Sequence, residues 1–266
     1  MNKRPVIYGA DAVHADKWRC LVEQHGSPLL VVDREILRRQ FHKLNHYLPG
    51  VSLYYAIKAF PHEEILNLLA GLGCHFDVAS EGEIDLLKSV SVGGRRTIHT
   101  HPVKKDGDIR AALRGGSTTF VVDNIDELKK LIPYRSRIGV LLRVSFRSET
   151  ALVDLSRKFG CSPNEVMTIV KQAEQLGVHI RGLSFHVGSQ VASPDSHIQA
   201  IEACVELIRR LNDTMNKPVN VLDIGGGFPV DYAMQGFDED AFFSPFMATL
   251  QSLPDSLSVI AEPGRY

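Results

Sequence analysis

Apolar, β-branched runs alternate with amphipathic stretches along most of the chain, a pattern that predicts strands separated by helices. After an N-terminal stretch containing PLLVVD (28–33), the segment REILRRQFHKLNHYL (34–48) places Ile36, Leu37, Phe41, Leu44 and Leu48 on one helical face. VSLYYAIKA (51–59) reads as a strand and HEEILNLLAGLG (62–73) as a helix. The alternation continues through HFDVAS, RTIHTH, TTFVVDN, RIGVLLRVSF, HIRGLSFHVG and VNVLDIGGG to SVIAE. A helix from Ser162 opens on SPNE, a capping box with Pro at the first helical position, and another is expected over 195–212.

Counted from Tyr54, eight strands end near Lys58, Ala79, Thr100, Asp123, Val144, Val187, Ile224 and Glu262. Strands joined through single helices run parallel with right-handed crossovers, and eight such units suit a closed (β/α)8 barrel of the TIM type. A doubly wound open sheet is the alternative. Helix 34–48 precedes the first barrel strand, so it could take the place of a helix after the eighth and let the barrel close at Tyr266.

In such a barrel, chemistry gathers at the C-terminal strand ends. The polar residues there are Lys58, Asp77, Ser80, His99, His101, Arg143, His186, Ser189, the glycines 225–227, Glu262 and Arg265. A lysine in so apolar a run would be desolvated, which lowers its pKa toward the nucleophilic amine; a side chain reaching to solvent is the plain alternative. Gly225, Gly226 and Gly227 let backbone amides approach an anion, although the spacing is not the dinucleotide fingerprint. They follow the seventh strand, and EPGR follows the eighth; these two loops are the usual phosphate site of TIM barrels. His186 could act as base, ligand or flat stacking surface, or simply fill the core. His99 and His101 point the same way but lack clustered carboxylates, so no metal site is expected.

Composition narrows the class further. The 266 residues are 44% hydrophobic and 23% charged, with 30 basic against 31 acidic side chains. That balance leaves no field to attract nucleic acid or an anionic membrane, and no apolar run is long enough to span a bilayer. Four scattered cysteines (Cys20, Cys74, Cys161, Cys204) form no CxxC pair, which suits reduced thiols in a cytoplasmic protein.

Together, YYAIK at Lys58, FDVASEGE from Asp77, LLRV at Arg143, SFHVGSQ at His186, LDIGGGFP at 222–229 and AEPGRY at 261–266 resemble the fold-type III pyridoxal-phosphate (PLP) decarboxylases. This is the ornithine and diaminopimelate decarboxylase family, whose barrel is of the alanine racemase type, and the likeness runs from Pro28 to Tyr266. The resemblance implies that Lys58 links covalently to PLP, that Glu262 bonds the protonated pyridine nitrogen, and that His186 stacks on the ring. It implies further that Ser189, Gly225, Gly226, Gly227, Gly264 and Arg265 hold the phosphate, with Asp77, Glu83 and Arg143 around the lysine and ring. SFHVGS, LDIGGGFP, KFGC (158–161) and the Tyr after EPGR look most like the ornithine branch. Gln190 departs from it, and HTHPVKK matches it loosely, so lysine, arginine and diaminopimelate stay open as substrates.

The family carries a C-terminal β domain after the barrel and works as a homodimer. The expectation from the sequence is a barrel over 28–266 without that domain, preceded by a segment 1–27 that would pair with it. PLLVV would then be an exposed edge. Three readings follow: the barrel portion of a PLP-dependent decarboxylase acting on a small basic amino acid; a short PLP-handling homologue; or a non-catalytic binding protein of the antizyme-inhibitor kind. The complete set of Lys58, His186, three glycines and EPGR speaks for the first two.

Overall fold

The computed structural model describes residues 15–146, 151–153, 158–232 and 236–266. The first half of segment 1–27 therefore lies outside the described residues. Eight parallel strands close into a barrel: β1 (Ser52–Ala56), β2 (His75–Val78), β3 (Thr97–His99), β4 (Thr119–Val122), β5 (Gly139–Val144), β7 (Ile180–Phe185), β9 (Val221–Asp223) and β10 (Ser258–Ala261). Each strand pairs with its neighbour in sequence, and β10 returns to pair with β1. Two further short strands, β6 (Ala151–Val153) and β8 (Ser189–Val191), pair antiparallel in a separate two-stranded sheet. The doubly wound alternative is thereby excluded.

The described α-helices are α1 (Ala15–His25), α2 (Arg34–Tyr47), α3 (Glu63–Gly71), α4 (Glu81–Ser89), α5 (Asp106–Gly115), α6 (Ile125–Lys130), α7 (Pro163–Gln175), α8 (Asp195–Asn212) and α9 (Glu239–Gln251), and short 3₁₀ turns lie at Ile57–Ala59, Gly94–Arg96 and Ile132–Tyr134. The SPNE start of α7 forms its capping box, with Ser162 and Glu165 satisfying each other's backbone groups. Segment 80–83, SEGE, is a second S-x-x-E start: Glu83 Oε2 accepts the Ala79 N–H at 2.6 Å and Ser80 Oγ accepts the Glu83 N–H. The Glu83 carboxylate is thus committed to the start of α4.

Helix α2 occupies the place a helix after β10 would take. It packs against α3 on one side and α9 on the other. The Tyr47 ring stacks on Phe243 of α9 at 4.4 Å, and its hydroxyl donates to Asp240 at 2.7 Å. Lys43 pairs with Glu239, which also accepts a hydrogen bond from the Tyr266 hydroxyl. Residues 28–33 join no strand; Leu29, Leu30, Val31 and Val32 lie exposed on the surface before α2.

Side-chain alternation along the strands sorts the core into two parts. Leu53, Phe76, Phe120, Leu142, Leu183, Leu222 and Val259 pack into the layer between strands and helices. Ile98, Val121, Leu141, Val221 and Ile260, with Tyr54 against them, form a separate apolar cluster that fills the barrel interior. Because the period is two, the residues one step closer to the mouth on those same strands are Thr100, Asp123, Arg143, Asp223 and Glu262. An apolar floor thus carries a polar layer directly above it.

Candidate functional site

Lys58 lies just past β1, on a single 3₁₀ turn, Ile57–Ala59, and not within the strand itself. Its side chain is 62% exposed and its Nζ stands 3.6 Å from Asp77 Oδ2. The sequence expectation of a lowered lysine pKa is overturned here. The Asp77 carboxyl, aided by Glu262, outweighs desolvation and raises it, so the structure holds an ammonium at this position.

Asp77 is buried on β2, with Phe76 and Val78 facing the helices on either side of it. The Thr100 hydroxyl donates to its Oδ1. Burial and the neighbouring Glu262 push its pKa up to about 7, against the pull of Lys58. Asp223, also buried, is pushed up to about 6, chiefly by burial. Its Oδ1 accepts the Gly225 N–H at 2.9 Å, and its carboxylate is hydrogen-bonded by the Glu262 carboxyl. Glu262 is raised well above the ordinary carboxyl range by burial and by the charge of Asp223. Three carboxyls therefore share a mouth whose facing cations are Lys58 and Arg143.

Arg143 is held at both ends by the KFGC segment. Its carbonyl accepts the Cys161 N–H at 3.0 Å, and its guanidinium lies over the Phe159 ring, 5.3 Å from the centroid. His186 follows β7. Its Nδ1 accepts the Gly188 N–H at 3.0 Å, and burial together with the charges of Arg143 and Lys58 lowers its pKa to about 3. The ring is consequently neutral, with its proton on Nε2.

The glycines after β9 press against the neighbouring loops. A Cβ on Gly225 would lie 2.4 Å from the Phe185 carbonyl oxygen, and one on Gly226 would lie 2.5 Å from that of Glu262. Each loop carbonyl is tied from outside: Gly225 O by the Glu262 N–H, Gly226 O by His197 Nε2, and Gly227 O by the Val191 N–H. The N–H groups of Gly226 and Gly227 have no acceptor among the described residues. The Glu262–Arg265 turn docks on the turn that bears Lys58. Pro263 O accepts the Ala56 N–H at 2.9 Å, and Gly264 faces Ala56 and Ala59. Arg265 is exposed at its end, and Ser189 opens β8 beside the glycine loop.

The structure thus gathers Lys58, Asp77, Arg143, His186, Ser189, Gly225–Gly227, Glu262, Gly264 and Arg265 at one end of the barrel. It does not bring His99 there. Ile98 faces the interior, so His99 turns toward the helices, fully buried against Phe120 with neither ring nitrogen partnered among the described residues. His101 is exposed, with its Nδ1 turned back on the backbone of Val103. Thr100, Asp223 and His197 belong to the site or its supports, but the sequence marks none of them as a functional candidate. For Thr100 and Asp223 the signal was available, two residues beyond interior apolar positions.

This donor set fits PLP. The cluster of raised carboxyls is short of positive charge, which a protonated ring nitrogen supplies. The unpaired glycine amides suit a phosphate, the neutral imidazole offers a flat face, and Lys58 is a primary amine within reach of solvent. Among the described residues no group of three His, Cys, Asp or Glu could hold a metal ion, and no helix is long and apolar enough to cross a membrane.

Comparison with known proteins agrees. Residues 34–266 match the family model described as pyridoxal-dependent decarboxylase, pyridoxal binding domain. The lysine/ornithine decarboxylase of Selenomonas ruminantium is 36% identical over 250 residues, 93% of this chain and 63% of that protein. Ornithine decarboxylase of Saccharomyces cerevisiae is 32% identical over 89% of this chain and 50% of its own length. The lysine/ornithine decarboxylase of Vibrio vulnificus, solved with putrescine, superposes with a TM-score of 0.89 at 40% identity, covering 96% of this chain and 68% of that one. SrLDC, solved with PLP and cadaverine, gives 0.88 at 32% identity, over 98% of this chain and 66% of the other. The chain therefore spans about half to two thirds of the length of these two curated relatives. A barrel built to this plan, matched along 34–266, belongs to the pyridoxal-dependent decarboxylases, and the part of them it forms is the domain that binds PLP.

Proposed function

We propose that this barrel binds PLP through Lys58 and serves the decarboxylation of a basic amino acid, ornithine or lysine, to the corresponding diamine. The single observation that carries the reading is the placement of Glu262. It is a half-buried, raised carboxyl directly above the apolar floor, in a mouth it shares with Lys58. The relatives support the substrate class, since they include proteins named as lysine/ornithine and ornithine decarboxylases.

When bound, PLP supplies the electron sink that accepts the electron pair left as carbon dioxide departs. The residues of this chain prepare for it. Glu262, raised by desolvation and by Asp223, gives up its proton once a cation comes beside it, and the resulting carboxylate holds that cation in place. Asp77 keeps Lys58 protonated until the lysine must act as a nucleophile, and can take up the proton it releases, since its own pKa is near 7. His186 stays neutral, so its face adds no charge to the site. Gly226 and Gly227 present backbone N–H groups, and Arg265 a guanidinium, to the phosphate.

The test is a visible absorbance titration of the chain with PLP, followed by borohydride reduction and mass mapping, then carbon dioxide assays with ornithine, lysine, arginine and diaminopimelate. The expected result is a reducible band fixed at Lys58 and lost in Lys58→Ala. Attachment at another lysine, or a band that survives Lys58→Ala, overturns the assignment.

A further inference from the structure

His197 sits on α8, and none of the roles above uses it. It is fully buried among aromatic rings: Phe228 lies parallel to it at 5.3 Å between centroids, and Phe246 presents an edge at 5.4 Å. Its Nε2 lies 3.0 Å from the Gly226 carbonyl oxygen, while Nδ1 has no partner among the described residues. Burial lowers its pKa to about 4, so the ring is neutral near pH 7. A carbonyl can only accept, so the single ring proton is on Nε2 and is donated to Gly226 O.

The identity of that acceptor gives the contact its meaning. In a trans peptide the C=O and the following N–H point in opposite directions. Holding Gly226 O toward the aromatic wall turns the Gly227 N–H to the other side, away from that wall. The carbonyls of Gly225 and Gly227 are tied by backbone N–H groups of Glu262 and Val191, at 2.7 and 3.1 Å. The middle peptide of the loop is the one held by a side chain. Glycine peptides are otherwise the easiest to rotate, because no Cβ restricts them.

We infer that His197 is a positioning residue for the phosphate of PLP: it orients the Gly226–Gly227 peptide so that the Gly227 N–H is presented to the anion. This rests on the reading of Gly225–Gly227 as the phosphate loop. The consequence is specific to the phosphate. Weakening the orientation of a donor to a charged group costs about tenfold in affinity, whereas a ligand without the phosphate does not use that donor.

The test compares PLP with pyridoxal, which lacks the phosphate, by equilibrium titration of wild type, His197→Phe and His197→Gln. Phe keeps a ring in the aromatic box and removes the donor; Gln places an amide N–H near the position of Nε2. His197→Phe is expected to bind PLP about tenfold more weakly and pyridoxal unchanged, with His197→Gln recovering most of the PLP affinity. Equal loss for both ligands, or no loss for PLP, overturns the inference and leaves the phosphate-loop reading standing. Wild type that binds PLP no better than pyridoxal overturns both. Should His197→Phe fail to fold, His197→Gln decides: a folded Gln variant that no longer prefers PLP over pyridoxal also overturns the inference.

Discussion

Lys58 meets Asp77 at 3.6 Å, and Glu262 adds to the same field, so the charge on the lysine is set by groups that can be removed one at a time. In Asp77→Asn the nearest negative charge is gone while burial and Arg143 still disfavour the ammonium. The Lys58 pKa should therefore move down, and its amine should become nucleophilic at lower pH. Measured as the pH profile of Lys58 acylation by mass spectrometry, the profile should shift to lower pH; an unchanged profile would mean that Asp77 does not govern this lysine. The same residues show what was legible in the sequence. Lys58, Arg143 and Glu262 stand out because each interrupts an apolar run, and a period of two places the last two above the floor. Asp223 obeys the same rule, but the three glycines that begin just after Ile224 are the more conspicuous feature there. The raised pKa of Lys58 could not be read in advance, because it depends on how near Asp77 and Glu262 come in space, and sequence distance says nothing of that.

Among the elements, the junction of α2 with α9 covers the barrel where a helix after β10 would lie. The helix face was readable from its spacing for Leu37, Phe41, Leu44 and Leu48, as was the place it fills, but Ile36, expected on the same face, is exposed. The partner was not: α9 carries Pro245 inside it and four buried residues, Phe242, Phe243, Phe246 and Leu250, so its periodicity in sequence is blurred. Tyr47 is the hinge of the contact, stacked on Phe243 and bonded to Asp240. Tyr47→Phe keeps the stacking and loses the hydrogen bond, and should cost about 1 kcal/mol in urea unfolding. Tyr47→Ala removes the ring as well and should cost about 3–5 kcal/mol. Equal costs for the two variants would show that the hydroxyl alone matters and that α2 does not seal the barrel by packing.

At the scale of the whole molecule, burial of ionisable groups gives the cofactor-free barrel a particular response to pH. His99 and His197 are lowered to about 4 and His186 to about 3. Such groups cost stability as pH falls below about 6.5, where the unfolded chain takes up protons that the folded chain refuses. Asp223 and Asp77 are raised to about 6 and 7, and Glu262 well above its ordinary value. Raised carboxyls contribute fully only below the unfolded value near 4, and their contribution is lost as pH rises through the folded values. Between about pH 4 and 6 the two sets oppose each other. Above about 6.5 the histidines are neutral in both states, and the carboxyls act alone until Lys104, lowered to about 8, begins to work in the opposite direction. Each proton taken up on folding tilts stability by about 1.4 kcal/mol per pH unit. Urea midpoints of the cofactor-free chain should therefore fall between pH 6.5 and 8, where many proteins are level. Glu262→Gln, which has no proton to lose, should flatten that slope. Saturation with PLP should flatten it too, because a cation beside Glu262 lets the carboxyl ionise in place. A midpoint that stays level or rises from pH 6.5 to 8 would mean that these carboxyls are already ionised in the folded barrel, with enough positive charge supplied by Lys58 and Arg143.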